Sequence, residues 1–202
     1  MLSVKVLSLM VVLTALFLTA CSGSQPAQAP AENDAAPTGN AEAGVYADGA
    51  FRIVGTTTQA FDILTILTEG VADVEITGLM GAGVDPHLYQ PTESDIAAMN
   101  EADMVVYSGL FLEGQFDTVF KALNEQGVLV YALSKPVKDG GFTIGGFTLS
   151  DELVDVDDPH FWFDPRNWEL TIIDLGKTLS DIDLDNAGAY TANAEAYAAQ
   201  MN

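Results

Sequence analysis

The chain is poor in cysteine, histidine and basic residues. Its 202 residues include one cysteine, two histidines and seven lysines and arginines, against 29 aspartates and glutamates. Because Cys21 has no second cysteine to pair with, an intramolecular disulfide is excluded. The formal net charge of −22 repels phosphate backbones and concentrates cations only weakly. This charge disfavours nucleic acid as a partner and agrees with a solvated acidic surface.

A long apolar run lies near the N-terminus. Lys5 precedes apolar residues from Val6 to Phe17, a run too short to span a bilayer, and the run closes on Leu18-Thr19-Ala20-Cys21. The pattern predicts a signal peptide over residues 1–20 and resembles a bacterial lipobox, in which the cysteine receives a diacylglyceryl group. We therefore expect lipid attachment at Cys21 and an extracytoplasmic protein anchored to the membrane. An ordinary cleaved signal with a spare thiol is the alternative.

Residues 21–50 contain almost no bulky apolar side chain and are rich in alanine, proline, glycine and small polar residues. Such a segment cannot bury enough surface to offset the entropy of ordering it. We predict a disordered tether that holds the folded part away from the membrane. Roughly 150 residues remain, which is enough for one domain with a hydrophobic core.

Beyond the tether, the pattern alternates between short apolar strands and amphipathic helices. Strands are predicted at 51–55, 74–80, 104–107 and 128–132. Helices are predicted at 58–70, at 96–99 after a capping box over 92–95, and at 115–124, 168–179 and 185–201. Helices that separate strands predict a parallel sheet with right-handed crossovers, an α/β layer fold. Ligands bind at the carboxyl ends of the strands in such sheets.

The segment between Pro136 and Asp157 departs from this alternation. Paired glycines separate Phe142–Ile144 from Phe147–Leu149, which predicts a small β-hairpin. Five carboxylates follow between Asp151 and Asp158. They lack the regular alternation and turn glycine of a calcium loop, so we interpret them as an exposed acidic turn.

Both histidines end the same tripeptide, Asp85-Pro86-His87 and Asp158-Pro159-His160. The proline restricts its own backbone and that of the preceding aspartate, so each histidine projects from a stiff loop. Neutral imidazole is a common ligand of divalent transition metals. His87 and His160 are therefore predicted to supply half of a tetrahedral or octahedral metal site. The alternative is that each tripeptide is an ordinary Asp-Pro turn with an incidental histidine.

Two further interpretations concern neighbouring residues. Phe161, Trp162 and Phe163 are expected to pack in the core rather than to form an exposed ligand platform. A hydrolytic zinc enzyme would use Glu93 or Glu113 as a general base. Two histidines are one ligand short of a typical catalytic zinc set, and the sequence has no His-Glu-x-x-His helix or serine-nucleophile motif. The expected class is a binding protein and not an enzyme.

Several separated motifs resemble the metal-binding lipoproteins of zinc and manganese ABC importers. The resemblance covers Phe51 to Asn202 and rests on motifs that occur in the family's order. These motifs are Gly81 to His87, Tyr89 to Thr92 with Asp95, Ala102-Asp103, Gly109 to Glu113, and Asp158 to Pro165 with Asn167.

The resemblance implies two α/β lobes joined by a long helix, with the metal between them and two ligands from each lobe. Residues 51–167 would form the N-terminal lobe carrying His87 and His160, and 168–202 would lead into the inter-lobe helix. The C-terminal lobe, absent from this chain, would add a histidine or glutamate and then an aspartate. The last helix also has an apolar face with Tyr190, Ala194 and Tyr197 that needs a partner. For both reasons we expect coding sequence beyond Asn202. The transported ligand would be Zn²⁺ or Mn²⁺, delivered to an ABC permease from the periplasm or the membrane surface. A lipoprotein adhesin or structural surface protein is the alternative from a different class.

Overall fold

The computed structural model describes residues 49–140, 142–143, 145–148, 150–151 and 154–201. The predicted signal peptide, Cys21 and most of the predicted tether lie outside the described residues. Within the described ranges, none of the helices combines the length and the apolar character needed to cross a bilayer.

Four parallel strands form one sheet. They are β1 (Phe51–Gly55), β2 (Val74–Gly78), β3 (Met104–Tyr107) and β4 (Leu129–Ala132), in the spatial order β2-β1-β3-β4. Ile53 of β1 lies opposite Ile76 on one side and Met104 on the other. Every residue of β3 and β4 is buried, as expected for parallel strands covered on both faces. The predicted α/β fold with a parallel sheet is confirmed.

In the described residues, three helices connect successive strands and three more follow the last strand. They are α1 (Thr58–Leu67), α2 (Glu93–Asn100), α3 (Asp117–Gln126), α4 (Lys135–Gly140), α5 (Pro165–Ile182) and α6 (Ala187–Ala198). Short 3₁₀ turns occupy 114–116, 161–163 and 199–201. Alternate residues of β3 point to opposite sides of the sheet. Met104 and Val106 join a core with α1, α5 and α6, whereas Val105 and Tyr107 join a core with α2 and α3. The sheet is thus the middle of three layers.

Side-chain caps explain where the helices begin. Thr57 accepts a hydrogen bond from the amide of Ala60 and starts α1. The predicted capping box is present at α2, where Thr92 and Asp95 each bond the other's backbone. Asp164 is the N-cap of α5 and accepts a hydrogen bond from the amide of Arg166, and Pro165 is the first residue of the helix. Helix α5 therefore begins three residues earlier than predicted.

Two features were not expected from the sequence. Phe147 forms an antiparallel bridge with Val156, whereas Ile144 and Leu149 of the predicted hairpin lie outside the described residues. Helix α4 was not expected, because its six residues are too few to show a periodic apolar pattern.

The apolar face of α6 also differs from expectation. Tyr190 is fully buried and donates a hydrogen bond to Asp183, and Ala194 packs against Gly176 of α5. Tyr197 accepts a hydrogen bond from the indole of Trp168. Helix α5 already covers this face, so the expectation that it needs a partner beyond Asn202 is wrong. That residues 168–202 lead into an inter-lobe helix stays a prediction.

Candidate metal centre

The two histidines lie on loops that the repeated tripeptide shapes in the same way. The amide of His87 donates to Oδ1 of Asp85 at 3.0 Å, and the amide of His160 donates to Oδ1 of Asp158 at 2.9 Å. Each aspartate therefore closes a turn around its proline, which is the local geometry that Asx turns favour. The His87 loop follows β2, and the His160 loop leads into the 3₁₀ turn before α5. The local sequence therefore shapes the loop that carries each histidine, and the fold brings the two loops together.

The structure places the two imidazoles side by side. Nε2 of His87 lies 3.4 Å from Nε2 of His160, although 73 residues separate them in the chain. A tetrahedral zinc ion with Zn–N bonds of about 2.0–2.1 Å holds two imidazole nitrogens roughly 3.3–3.4 Å apart. A right angle at the metal would require roughly 2.9 Å with the same bonds. The spacing of the two nitrogens therefore matches that of two ligands of a tetrahedral zinc ion.

The second ring nitrogen of His160 is held by a carboxylate. Nδ1 of His160 lies 2.7 Å from Oδ1 of Asp158. An ionised carboxylate only accepts, so Nδ1 carries the proton and Nε2 of the neutral ring keeps its lone pair for a metal. The hydrogen bond from the His160 amide is the main cause that lowers the pKa of Asp158, and the ring contact adds to it. Sequence reasoning had placed Asp158 in an exposed acidic turn and missed this contact.

A cleft of about 250 Å³ opens beside the histidine pair. Besides the two histidines, its walls include Thr57 and Gln59 from the start of α1, Met80 from the loop after β2, and Trp162. The imidazole of His160 contacts Trp162, with ring centroids 5.3 Å apart. The cleft lies at the carboxyl ends of the strands, where the α/β rule predicts ligands.

The three neighbouring aromatics divide between core and surface. Phe161 is buried and Trp162 is partly buried against the same core. Phe163 is 79 % exposed and stacks on His160, with ring centroids 6.4 Å apart. The prediction that all three pack is therefore wrong for Phe163, which points outward beside the histidine. Leu88 is similarly exposed next to His87.

The segment after His87 is anchored by Asp95. Its Oδ2 accepts hydrogen bonds from the hydroxyl of Tyr89 and the amide of Thr92, both at 2.7 Å. Burial by itself would raise the pKa of Asp95, but these hydrogen bonds outweigh it and lower the pKa. The first residues after His87 are thereby tied to the start of α2. This contact accounts for the Tyr89-Gln90-Pro91-Thr92 motif with Asp95.

Neither Glu93 nor Glu113 lines the cleft beside the two histidines. Glu93 is exposed on the first turn of α2. Glu113 is buried and already accepts hydrogen bonds from Thr56, Ser108 and Gly109. Within the described part of the chain, no cluster of three or more His, Cys, Asp or Glu side chains has the geometry to hold a metal ion.

Comparison with known proteins gives a family and a partial span. The family model described as zinc-uptake complex component A, periplasmic, matches residues 54–202. The manganese-binding lipoprotein MntA of Bacillus subtilis is 32% identical over 160 residues, covering 79% of this chain and 49% of MntA. The zinc-binding protein TroA of Treponema pallidum is 33% identical over 156 residues, covering 77% of this chain and 47% of TroA. The chain spans about half the length of these relatives.

Solved structures show the same relationship. The periplasmic zinc-binding protein TroA of Treponema pallidum superposes with a TM-score of 0.65 at 31% identity, over 76% of this chain and 52% of TroA. The manganese-bound periplasmic metal-binding protein of Candidatus Liberibacter asiaticus gives a TM-score of 0.61 at 28% identity, over 74% and 52%. These are two-lobed proteins, and the matched part corresponds to a single lobe. The chain therefore belongs to the zinc-uptake component A family, whose members are metal-binding substrate-binding proteins of ABC importers and not enzymes.

Proposed function

We propose that this chain captures a divalent transition metal outside the cytoplasm, for delivery to an ABC permease, with His87 and His160 as metal ligands. The observation that carries the proposal is the 3.4 Å separation of the two Nε2 atoms at the edge of one cleft. Relatives described as manganese-binding, zinc-binding and iron-binding support the same class of ligand. The two imidazoles would fill two coordination positions. As the resemblance implies, the remaining ligands would come from a second lobe.

The proposed metal is Zn²⁺ or Mn²⁺. Zinc prefers four tetrahedral ligands, whereas manganese prefers octahedral sites rich in oxygen. The observed spacing of 3.4 Å fits the tetrahedral angle of a zinc site. The ligands that the second lobe would add decide between the two metals.

We further propose that the protein is held at the membrane by lipid on Cys21. The support is the lipobox-like ending of the signal peptide. Relatives described as metal-binding lipoproteins agree with this arrangement. Residues 22–48 would then separate the metal centre from the bilayer.

Titration calorimetry of the purified chain with Zn²⁺ and Mn²⁺ tests the ligand assignment. We expect the double variant His87→Ala, His160→Ala to lose metal binding, and each single variant to weaken it strongly. Leu88→Ala is a matched control, because Leu88 is exposed beside His87 and offers no ligand atom. Unchanged binding by the double variant would remove both histidines from the site.

A further inference from the structure

Glu113 is a buried carboxylate that links the carboxyl ends of the two central strands. It is 2 % exposed and accepts hydrogen bonds from Oγ1 of Thr56, the amide of Ser108 and the amide of Gly109, at 2.8, 2.8 and 3.2 Å. Thr56 follows β1, and the other two donors follow β3. Burying a carboxylate is costly unless donors surround it. The three donors stabilise the buried carboxylate, and through them it ties the ends of β1 and β3 together.

The turn between β3 and Glu113 has an unusual backbone. Gly109, Leu110 and Phe111 have φ angles of 88°, 54° and 60°, so two successive non-glycine residues occupy the left-handed region. Such residues persist only where the surrounding structure determines their conformation. Here Leu110 is buried in the core, and the carboxylate of Glu113 returns to the amides at the start of the turn. A Cβ at position 109 would also collide with Ser134, so Gly109 itself is needed.

The partners of Glu113 are one contact away from the wall of the metal cleft. The carbonyl of Thr56 accepts the amide of Met80 at 3.0 Å, and Met80 begins the loop that carries His87. The hydroxyl of Thr57 lies 3.2 Å from that of Ser108. Thr57 and Met80 both line the cleft that contains His87 and His160.

We propose that Glu113 is a positioning residue of the metal centre. Its carboxylate fixes the positions of Thr56 and of the turn after β3. Through their contacts, Thr56 and Ser108 fix the positions of Met80 and Thr57, and with Met80 the start of the His87 loop. Glu113 does not contact the metal and transfers no proton. The proposal rests on the function proposed above, and it assigns a role to a residue that an enzymatic interpretation would have used as a base.

The test compares Glu113→Gln with Tyr190→Phe in the purified chain. Glutamine keeps the size of the side chain but replaces one accepting oxygen by a donor, which opposes the surrounding donors. Tyr190→Phe removes another buried hydrogen bond, to Asp183. It lies in α6, whose Asn193 contacts the C-terminal end of α1 and not its start at the cleft. Both variants are expected to lower the thermal stability of the metal-free protein.

Two readouts separate positioning from general stabilisation. Hydrogen exchange of the metal-free protein, followed by mass spectrometry, should increase at residues 80–87 and 108–112 in Glu113→Gln, and around α6 in Tyr190→Phe. Metal affinity should fall about tenfold in Glu113→Gln, as for residues that orient metal ligands, and stay unchanged in Tyr190→Phe. Exchange at 80–87 and affinity both equal to those of the parent would overturn the proposal.

A second variant covers the case in which Glu113→Gln does not fold. Thr56→Val removes one of the three donors and keeps the branched shape, so the same changes are expected at smaller size. If the parent chain binds no metal, the proposed function fails. The exchange readout then still decides whether Glu113 positions the His87 loop. Unchanged exchange at residues 80–87 in Thr56→Val would count against the proposal.

Discussion

Asp158 and His160 are joined twice, since Oδ1 of the aspartate accepts both the amide and, at 2.7 Å, the Nδ1 proton of the same histidine. In the other tripeptide, Asp85 accepts a hydrogen bond from the amide of His87, and the described residues show no hydrogen bond or ion pair between Asp85 and the imidazole of His87. One sequence motif therefore produces two different histidine environments. A carboxylate on the far ring nitrogen orients a metal-binding imidazole and makes it a better ligand.

This difference predicts unequal effects of the two aspartates. Asp158→Ala and Asp85→Ala each remove the cap on the histidine amide, but Asp158→Ala also frees the ring. We expect Asp158→Ala to weaken metal binding about 10–100-fold, as for other residues that support metal ligands, and Asp85→Ala to weaken it less. Calorimetric titration of both variants measures this. Equal losses would show that the ring contact does not matter.

The predicted lipid site is tested by Cys21→Ser. The variant should not incorporate labelled fatty acid and should leave the membrane fraction, because serine offers no thiol for the diacylglyceryl group. Ser22→Ala, one residue further along, is the control and should behave as the parent. Equal membrane retention of Cys21→Ser and the parent would contradict the anchor.

The contact between α5 and α6 predicts opposite effects for two glycine substitutions. A Cβ at Gly176 would collide with the side chain of Ala194, whereas one at Gly188 meets no atom within 4 Å. Gly176→Ala should lower the free energy of unfolding by about 1–3 kcal/mol through overpacking. Gly188→Ala should raise it by up to about 1 kcal/mol through helix propensity. Urea denaturation of both variants checks the pair, and a stabilised Gly176→Ala would show that the helices separate easily.

The ionisation of buried Glu113 should make the stability of the protein depend on pH. Burial raises the pKa of Glu113 above the ordinary value of 4.5, although its three hydrogen bonds oppose the shift. Between 4.5 and the raised pKa, the folded protein holds a proton that the unfolded chain has released, so stability falls as pH rises. The contribution of Glu113 is therefore largest below pH 4.5 and is lost as pH passes through the folded pKa.

Glu113→Gln lacks this titration. The free energy of unfolding of the parent minus that of the variant should therefore decrease with rising pH across this window. Denaturant unfolding of both proteins at matched pH values measures the difference, in which the titrations of other carboxylates cancel. A difference that is constant with pH would contradict this prediction, because Glu113 would then bind the same number of protons in the folded and the unfolded protein.

Much of the fold followed from local signals in the sequence. The apolar runs of β1 and β3 were predicted with the observed bounds, and the capping box at Thr92 marked the start of α2. These features depend on residues close together in the chain, so they can be predicted without knowing the fold. Helix α4 and the pairing of Phe147 with Val156 were missed because short segments carry little periodic signal.

The candidate metal centre also combines features that depend on local sequence with features that depend on the fold. The sequence by itself determined that both histidines follow a stiff Asp-Pro turn and that His87 follows the end of a strand, because turn chemistry is local. Only the tertiary structure decided that their Nε2 atoms lie 3.4 Å apart, that Asp158 holds one ring, and that Glu113 is buried behind the cleft. These are contacts between the ends of different strands and loops, and the packing of helices on both faces of the sheet sets them.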